Sequence, residues 1–144
     1  MIRGIQTALV LAATTLLLAG CGDTSWEMLN KTEWVLETLH DQPVPEEAPP
    51  ITLSFDGQGR ISGSSGCNNY TAKYTYTVKE QSFLVKSIAR TFRLCNPNEL
   101  MEFEGEFLTA LQDAATYRLE DGLLELYSAD GVPLLIFEEE GIFF

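Results

Sequence analysis

From Ile51 onward the chain is cut into short runs of alternating polarity by glycine-bearing turns, and that punctuation restricts it to a mostly β fold. Ile51-Thr52-Leu53-Ser54-Phe55 alternates as a half-buried strand does. Asp56-Gly57-Gln58-Gly59 follows with glycines that accept the positive φ of a hairpin turn, and residues 60–63 return as the next strand. Residues 70–78 alternate aromatic or β-branched side chains with polar ones, and residues 82–85 are their short partner across Lys79-Glu80-Gln81. Further strands are expected over 117–119, 123–127 and 132–137, separated by Glu120-Asp121-Gly122 and Ala129-Asp130-Gly131. Upstream, residues 33–39 read as a strand with Trp34, Leu36 and Thr38 on one side, and the proline-rich stretch 43–50 reads as loop.

One stretch breaks the pattern. Leu100, Phe103, Phe107, Leu108, Leu111 and Ala114 follow helical spacing, Asn96 or Asn98 is available as the N-cap, and Glu99 and Glu102 suit the first turn, where the helix dipole favours acids. Glu104, Glu106 and Asp113 are expected to face outward. Seven or eight short strands and one packed helix are best buried by an α+β, mostly antiparallel arrangement: a strongly curved sheet or partly open β-barrel.

The front of the chain has another character. Arg3 precedes an apolar run from Ile5 to Ala19, and the exit Leu18-Ala19-Gly20-Cys21 has the small residues and cysteine of a lipobox. Residues 1–20 are therefore read as a lipoprotein signal peptide rather than a transmembrane helix, Cys21 as the lipidated mature terminus, 21–31 as a tether and 32–144 as one domain. Each buried methylene contributes about 0.8 kcal/mol, so several acyl chains hold where one would not. Gly22 after that cysteine favours the outer membrane, facing the periplasm, over the inner one.

Charge and cysteines narrow the partners. The formal net charge is −12, with Lys and Arg scattered or beside acids, which argues against nucleic acid and predicts a domain repelled by anionic headgroups. Once Cys21 carries lipid, Cys67 and Cys95 form an even pair, and a disulfide is the default in an oxidising compartment. Closing that loop would add about 3 kcal/mol. The alternatives are two buried free thiols or a reactive thiol at Cys67; no cluster of histidines and further cysteines supports zinc or another metal.

Gly63-Ser64-Ser65-Gly66-Cys67-Asn68-Asn69-Tyr70 is the most distinctive segment. Together with Ser87-Ile88-Ala89-Arg90-Thr91-Phe92-Arg93-Leu94-Cys95, the opening Trp34-Val35-Leu36 and residues 104–111, it resembles the META domain, the HslJ-like family of heat-inducible lipoproteins. The resemblance covers residues 34–137 in order. It implies a compact β-barrel-like fold with a packed helix and a link to envelope stress, and it supplies no reaction or cofactor. Asn69 stands where a basic residue is common, and Phe92-Arg93-Leu94 replaces a Met-Ala type run. From the residues themselves, Gly63 and Gly66 allow a bulge or tight bend, Asn68 can bond neighbouring backbone, and a bridge to Cys95 would pin that bend; Thr91 completes the motif.

Three function classes remain. An enzyme would need an activated group, but His40 is the single histidine, placed beside a proline-rich loop, and Gly63-Ser64-Ser65-Gly66 lacks the order of a nucleophile elbow. Glu138-Glu139-Glu140 reads as a solvated tail, and no loop has EF-hand spacing for calcium. A non-enzymatic binding module that contacts membrane or an envelope protein leads. A pilotin-like or acyl-chain carrier would need an apolar groove lined by Phe83, Phe103 and Phe107, side chains that serve equally as core. A structural, stress-protective domain is the third class.

Overall fold

The computed structural model describes residues 29–140. The leader, Cys21 and most of the tether lie outside them. In chain order the elements are β1 (Trp34–Leu39), β2 (Gln42–Pro43), β3 (Thr52–Phe55), β4 (Arg60–Ser64), β5 (Asn69–Thr77), β6 (Ser82–Arg90), α1 (Asn98–Asp113), β7 (Thr116–Glu120), β8 (Leu123–Tyr127) and β9 (Pro133–Glu139). The nine strands are antiparallel neighbours in the order β2-β1-β3-β4-β5-β6-β7-β8-β9, and β1 also pairs with β9, so the curved sheet returns on itself as a ring.

Alternation puts one side of each strand into the ring. Ile61, Tyr70, Ala72, Tyr74, Phe83 and Val85 point in from β4–β6, and Leu124, Leu126, Leu135 and Phe137 from β8–β9. β1 and β3 add Trp34, Leu36, Leu39, Leu53 and Phe55, and helix α1 adds its apolar stripe: Phe107 is fully buried between Tyr70 and Phe137, at ring-centroid distances of 5.5 and 6.4 Å. Each large apolar side chain taken from water contributes on the order of 2 kcal/mol, which makes this cluster the principal source of stability.

Several expectations need correction. β6 runs to Arg90 rather than stopping near Val85, because a bulge absorbs one extra residue: Lys73 pairs Lys86 but Thr71 pairs Ala89, and Ser87 takes φ 56°. A second bulge, between Leu36 and Thr38, turns Leu39 inward, so Thr38 is not the third inward residue of an unbroken alternation. Gln42–Pro43 forms a two-residue strand against Thr38–Leu39, where loop was expected from Pro43. Glu138 and Glu139 belong to β9 and pair with β1 and β8, so they are not a solvated tail. The helix begins at Asn98 after Pro97 and has no side-chain cap, so neither Asn96 nor Asn98 caps it.

Candidate functional site

Local chain geometry brings the distinctive motif to one pole of the ring. β4 ends and β5 begins there, with residues 65–68 making the turn: the Ser65 N–H donates to the Asn68 carbonyl at 2.7 Å. Gly63 is required by crowding, since a Cβ at that position would sit 2.0 Å from the Thr52 carbonyl oxygen. Gly66 is required by conformation, with φ +94°. Tyr70 donates its hydroxyl to the Thr52 carbonyl at 2.9 Å, and burial pushes its phenol well above the usual tyrosine range.

Cys67 is joined to Cys95 by a disulfide with Cα atoms 5.8 Å apart. Beside it, buried Asn68 acts as a strand edge would. Its Oδ1 accepts from the Arg93 N–H at 2.7 Å and from the Thr91 hydroxyl at 2.8 Å, while its Nδ2 donates to the Arg93 carbonyl at 3.2 Å. The Asn69 N–H in turn donates to Thr91 Oγ1. Thus Gly63, Gly66, Cys67, Asn68, Thr91 and Cys95 are brought together as one assembly, whereas Cys21 lies outside the described residues.

At the centre of that assembly is a carboxylate that sequence reasoning placed in solvent. Glu104 of α1 is 0 % exposed. Its Oε1 accepts from Ser65 Oγ at 2.5 Å, and its Oε2 from Asn68 Nδ2 at 3.0 Å and Arg90 Nη1 at 3.0 Å. A buried carboxylate is tolerable only when paired and fully hydrogen-bonded, and the three donors meet that requirement. Glu104, Arg90 and Ser65 were the residues missed. A signal existed: Leu100, Glu104, Phe107 and Leu111 are spaced by four, three and four, which puts Glu104 on the apolar stripe.

The network uses its polar groups to fix backbone and leaves two neighbours outside. Thr91, Arg93 and Cys95 are tied to the 67–69 segment, while the alternate residues Phe92 and Leu94 are 85 % and 89 % exposed. Arg90 lies over the Phe92 ring, 5.5 Å from its centroid. The backbone that carries these two large apolar side chains is thereby held at the rim.

The other candidates are dispersed. His40 forms the β1–β2 turn with Asp41, both at positive φ, and borders an open cavity of about 540 Å³ with Glu102, Gly105, Glu106 and Thr109. Phe83 and Phe107 fill the core rather than a groove. Half-buried Phe103 alone reaches a cleft of about 300 Å³, beside Pro45, Ala48, Pro97 and Leu100. Among the described residues, no three His, Cys, Asp or Glu side chains are grouped to hold a metal ion.

Comparison with known proteins agrees with this geometry. The family model of the META domain matches residues 27–141. Heat shock protein HslJ of Escherichia coli (strain K12) is 29% identical over 122 residues, covering 81% of this chain and 85% of that protein. An NMR structure of a protein from Burkholderia xenovorans superposes with a TM-score of 0.61 at 24% identity, covering 96% of this chain and 99% of that one. The crystal structure of a DUF4847 family protein from Bacteroides vulgatus ATCC 8482 gives 0.60 at 14% identity over 81% and 96% of the two chains. Both solved structures share the fold, and the family match spans the whole ring and its helix: the chain belongs to the META domain family.

Proposed function

We propose that the chain is a non-enzymatic, heat-shock-associated lipoprotein of the bacterial envelope, held by lipid on Cys21 and acting as an interaction module. Its place in the outer membrane, facing the periplasm, belongs to the same reading. The observation that carries the module is the exposure of Phe92 and Leu94 on a segment fixed by a disulfide and by Asn68. Apolar side chains displayed on a rigid support are what binding surfaces use, because little ordering entropy is lost on contact. The polar groups of the site point the same way: Ser65, Asn68 and Glu104 bond to one another and to backbone, which is structural work. The name of HslJ supports the link to heat shock, and the lipobox supports the envelope.

Intact mass spectrometry of the chain expressed in a bacterium tests the anchor. Loss of residues 1–20 and added acyl mass on Cys21 are expected, with Cys21→Ala blocking both. An uncut, unacylated chain overturns the reading.

A further inference from the structure

The two most exposed large apolar side chains among the described residues, Phe92 at 85 % and Leu94 at 89 %, stand on either side of a cation, Arg93. Asn68 holds the Arg93 backbone, but the Arg93 side chain enters neither of the salt bridges found among the described residues. Phe92-Arg93-Leu94 is thus an apolar knob with an unpaired cation at its centre, carried on a pinned backbone. Arg90 lies over the Phe92 ring and bonds Glu104 of α1, which puts the knob on the helix side of β6.

The same pole holds a recess of opposite character. The cleft of about 300 Å³ has apolar walls, from Pro45 and Ala48 of the proline-rich loop and from Pro97, Leu100 and Phe103 at the start of α1. Exposed Glu47 and Glu99 line it as well, and neither is in a salt bridge among the described residues. A cleft of this size takes a side chain or two. Its carboxylates disfavour the head of a fatty acid and favour an apolar group that travels with a cation. Both walls are seated on the motif assembly: the Pro49 carbonyl lies 4.0 Å from where a Cβ on Gly66 would stand, and Cys95 is bonded to Cys67. From Leu94 to Pro97 the chain advances three residues, at most about 11 Å. Knob and cleft are therefore neighbours.

We propose that the knob of one copy seats in the cleft of a second copy, and reciprocally, so that the chain pairs about a two-fold axis at the motif pole with Arg93 of each copy against Glu47 and Glu99 of the other. Adjacency is what a closed pair needs, since a two-fold rotation then makes both contacts at once, whereas a knob and cleft at opposite poles would build an open chain of copies. Two phenylalanines, two leucines and the cleft walls that receive them come to roughly 1,200 Å², the lower limit of a specific interface. Both copies are acidic, but charges further apart than about 8 Å are largely screened at physiological salt, which leaves the local match of Arg93 with the two carboxylates to decide. The proposal rests on the reading of Phe92 and Leu94 as a binding surface, and the test separates the two.

The full chain is expressed in a bacterium with the photoreactive p-benzoylphenylalanine in place of Phe92, on two copies that carry different tags, and irradiated in intact cells. A product of twice the chain mass that carries both tags is expected, with the new bond mapped by mass spectrometry to residues 45–48 or 97–103. The same group at Lys79, on the β5–β6 turn at the opposite pole, should give none. Arg93→Glu alone, or Glu47→Lys with Glu99→Lys, sets like charges together in each self-pair and should lower the product about tenfold. Co-expressed, the two variants are complementary at both contacts, so the mixed product should return to the parent level while the self-products stay low. The three side chains changed are exposed and outside the Asn68 network, and circular dichroism of each variant checks that the fold is kept. A cross-link from position 92 to a different protein overturns the pairing and keeps the binding surface, whereas no cross-link to any protein overturns both. A doubled product that ignores the charge exchange, or maps away from the cleft, also overturns the pairing.

Discussion

Among the described residues are two guanidinium–carboxylate pairs that look alike in sequence and do different work. Arg90–Glu104 is at the pole of the ring, with the carboxylate fully buried and the arginine side chain 34 % exposed. Arg118–Glu125 lies across β7 and β8, where the two residues face each other in register and Tyr127 adds its hydroxyl to the same carboxylate oxygen. Arg118 is more than half exposed, so solvent screens that pair and its contribution is small. Glu104 has no solvent to fall back on. The contrast teaches that the first pair positions a loop, whereas the second decorates a hairpin.

That contrast is broken or sharpened by removing parts in turn. The largest effect is expected for Glu104→Ala, which strands Ser65, Asn68 and Arg90 together and should cost about 3–5 kcal/mol in urea unfolding. A cost no greater than that of Glu125→Ala would erase the distinction. Next, Cys67→Ser with Cys95→Ser should lose about 3 kcal/mol by freeing the unfolded chain, and should mobilise 91–95 in NMR relaxation while leaving Glu125 unaffected. Asn68→Ala removes four hydrogen bonds and should cost about 2 kcal/mol, with the Arg93 amide losing its exchange protection.

Smallest is Glu125→Gln, whose melting temperature should fall by only a fraction of the shift in Glu104→Ala, and whose deficit has a defined pH dependence. The hydrogen bond from Arg118 holds the Glu125 carboxyl below the ordinary glutamate value. A group with a depressed folded pKa adds stability above its unfolded pKa and loses it as pH falls through the folded one. The difference between the parent chain and Glu125→Gln should therefore be constant near neutrality and shrink under acid, and salt should reduce it. A difference that grew on acidification would reverse the assignment.

Much of the architecture was legible because polarity has a period. The alternation over 51–55 and 70–78 and the glycine-bearing turns at 57, 122 and 131 announce themselves without long-range information. The helix was equally plain from Leu100 to Leu111. What escaped depended on partners distant in sequence. Glu104 reads as a surface acid until Ser65 and Arg90 are known to surround it, and a rule that sends every helical glutamate outward overlooks that its position lies on the apolar stripe. Ring closure by β1 with β9 leaves no local mark, nor does a two-residue strand supported by a neighbouring turn. Arg60, Lys73 and Lys86 are another such case, since they become cross-strand partners only when register is known.

The bulge at Ser87 sets the phase of all that follows it in β6. Counting by twos from Phe83 and Val85 would send Arg90 to the convex side, away from α1; the one supernumerary residue shifts the count by a half-period and swings Arg90 toward Glu104. Excising Ser87 would leave the parity of 88–90 intact and straighten the strand, whereas inserting one more residue beside it would invert that parity. The salt bridge at the pole is thus written in the arithmetic of the strand, and a single-codon insertion would undo it without altering any of the residues that form it.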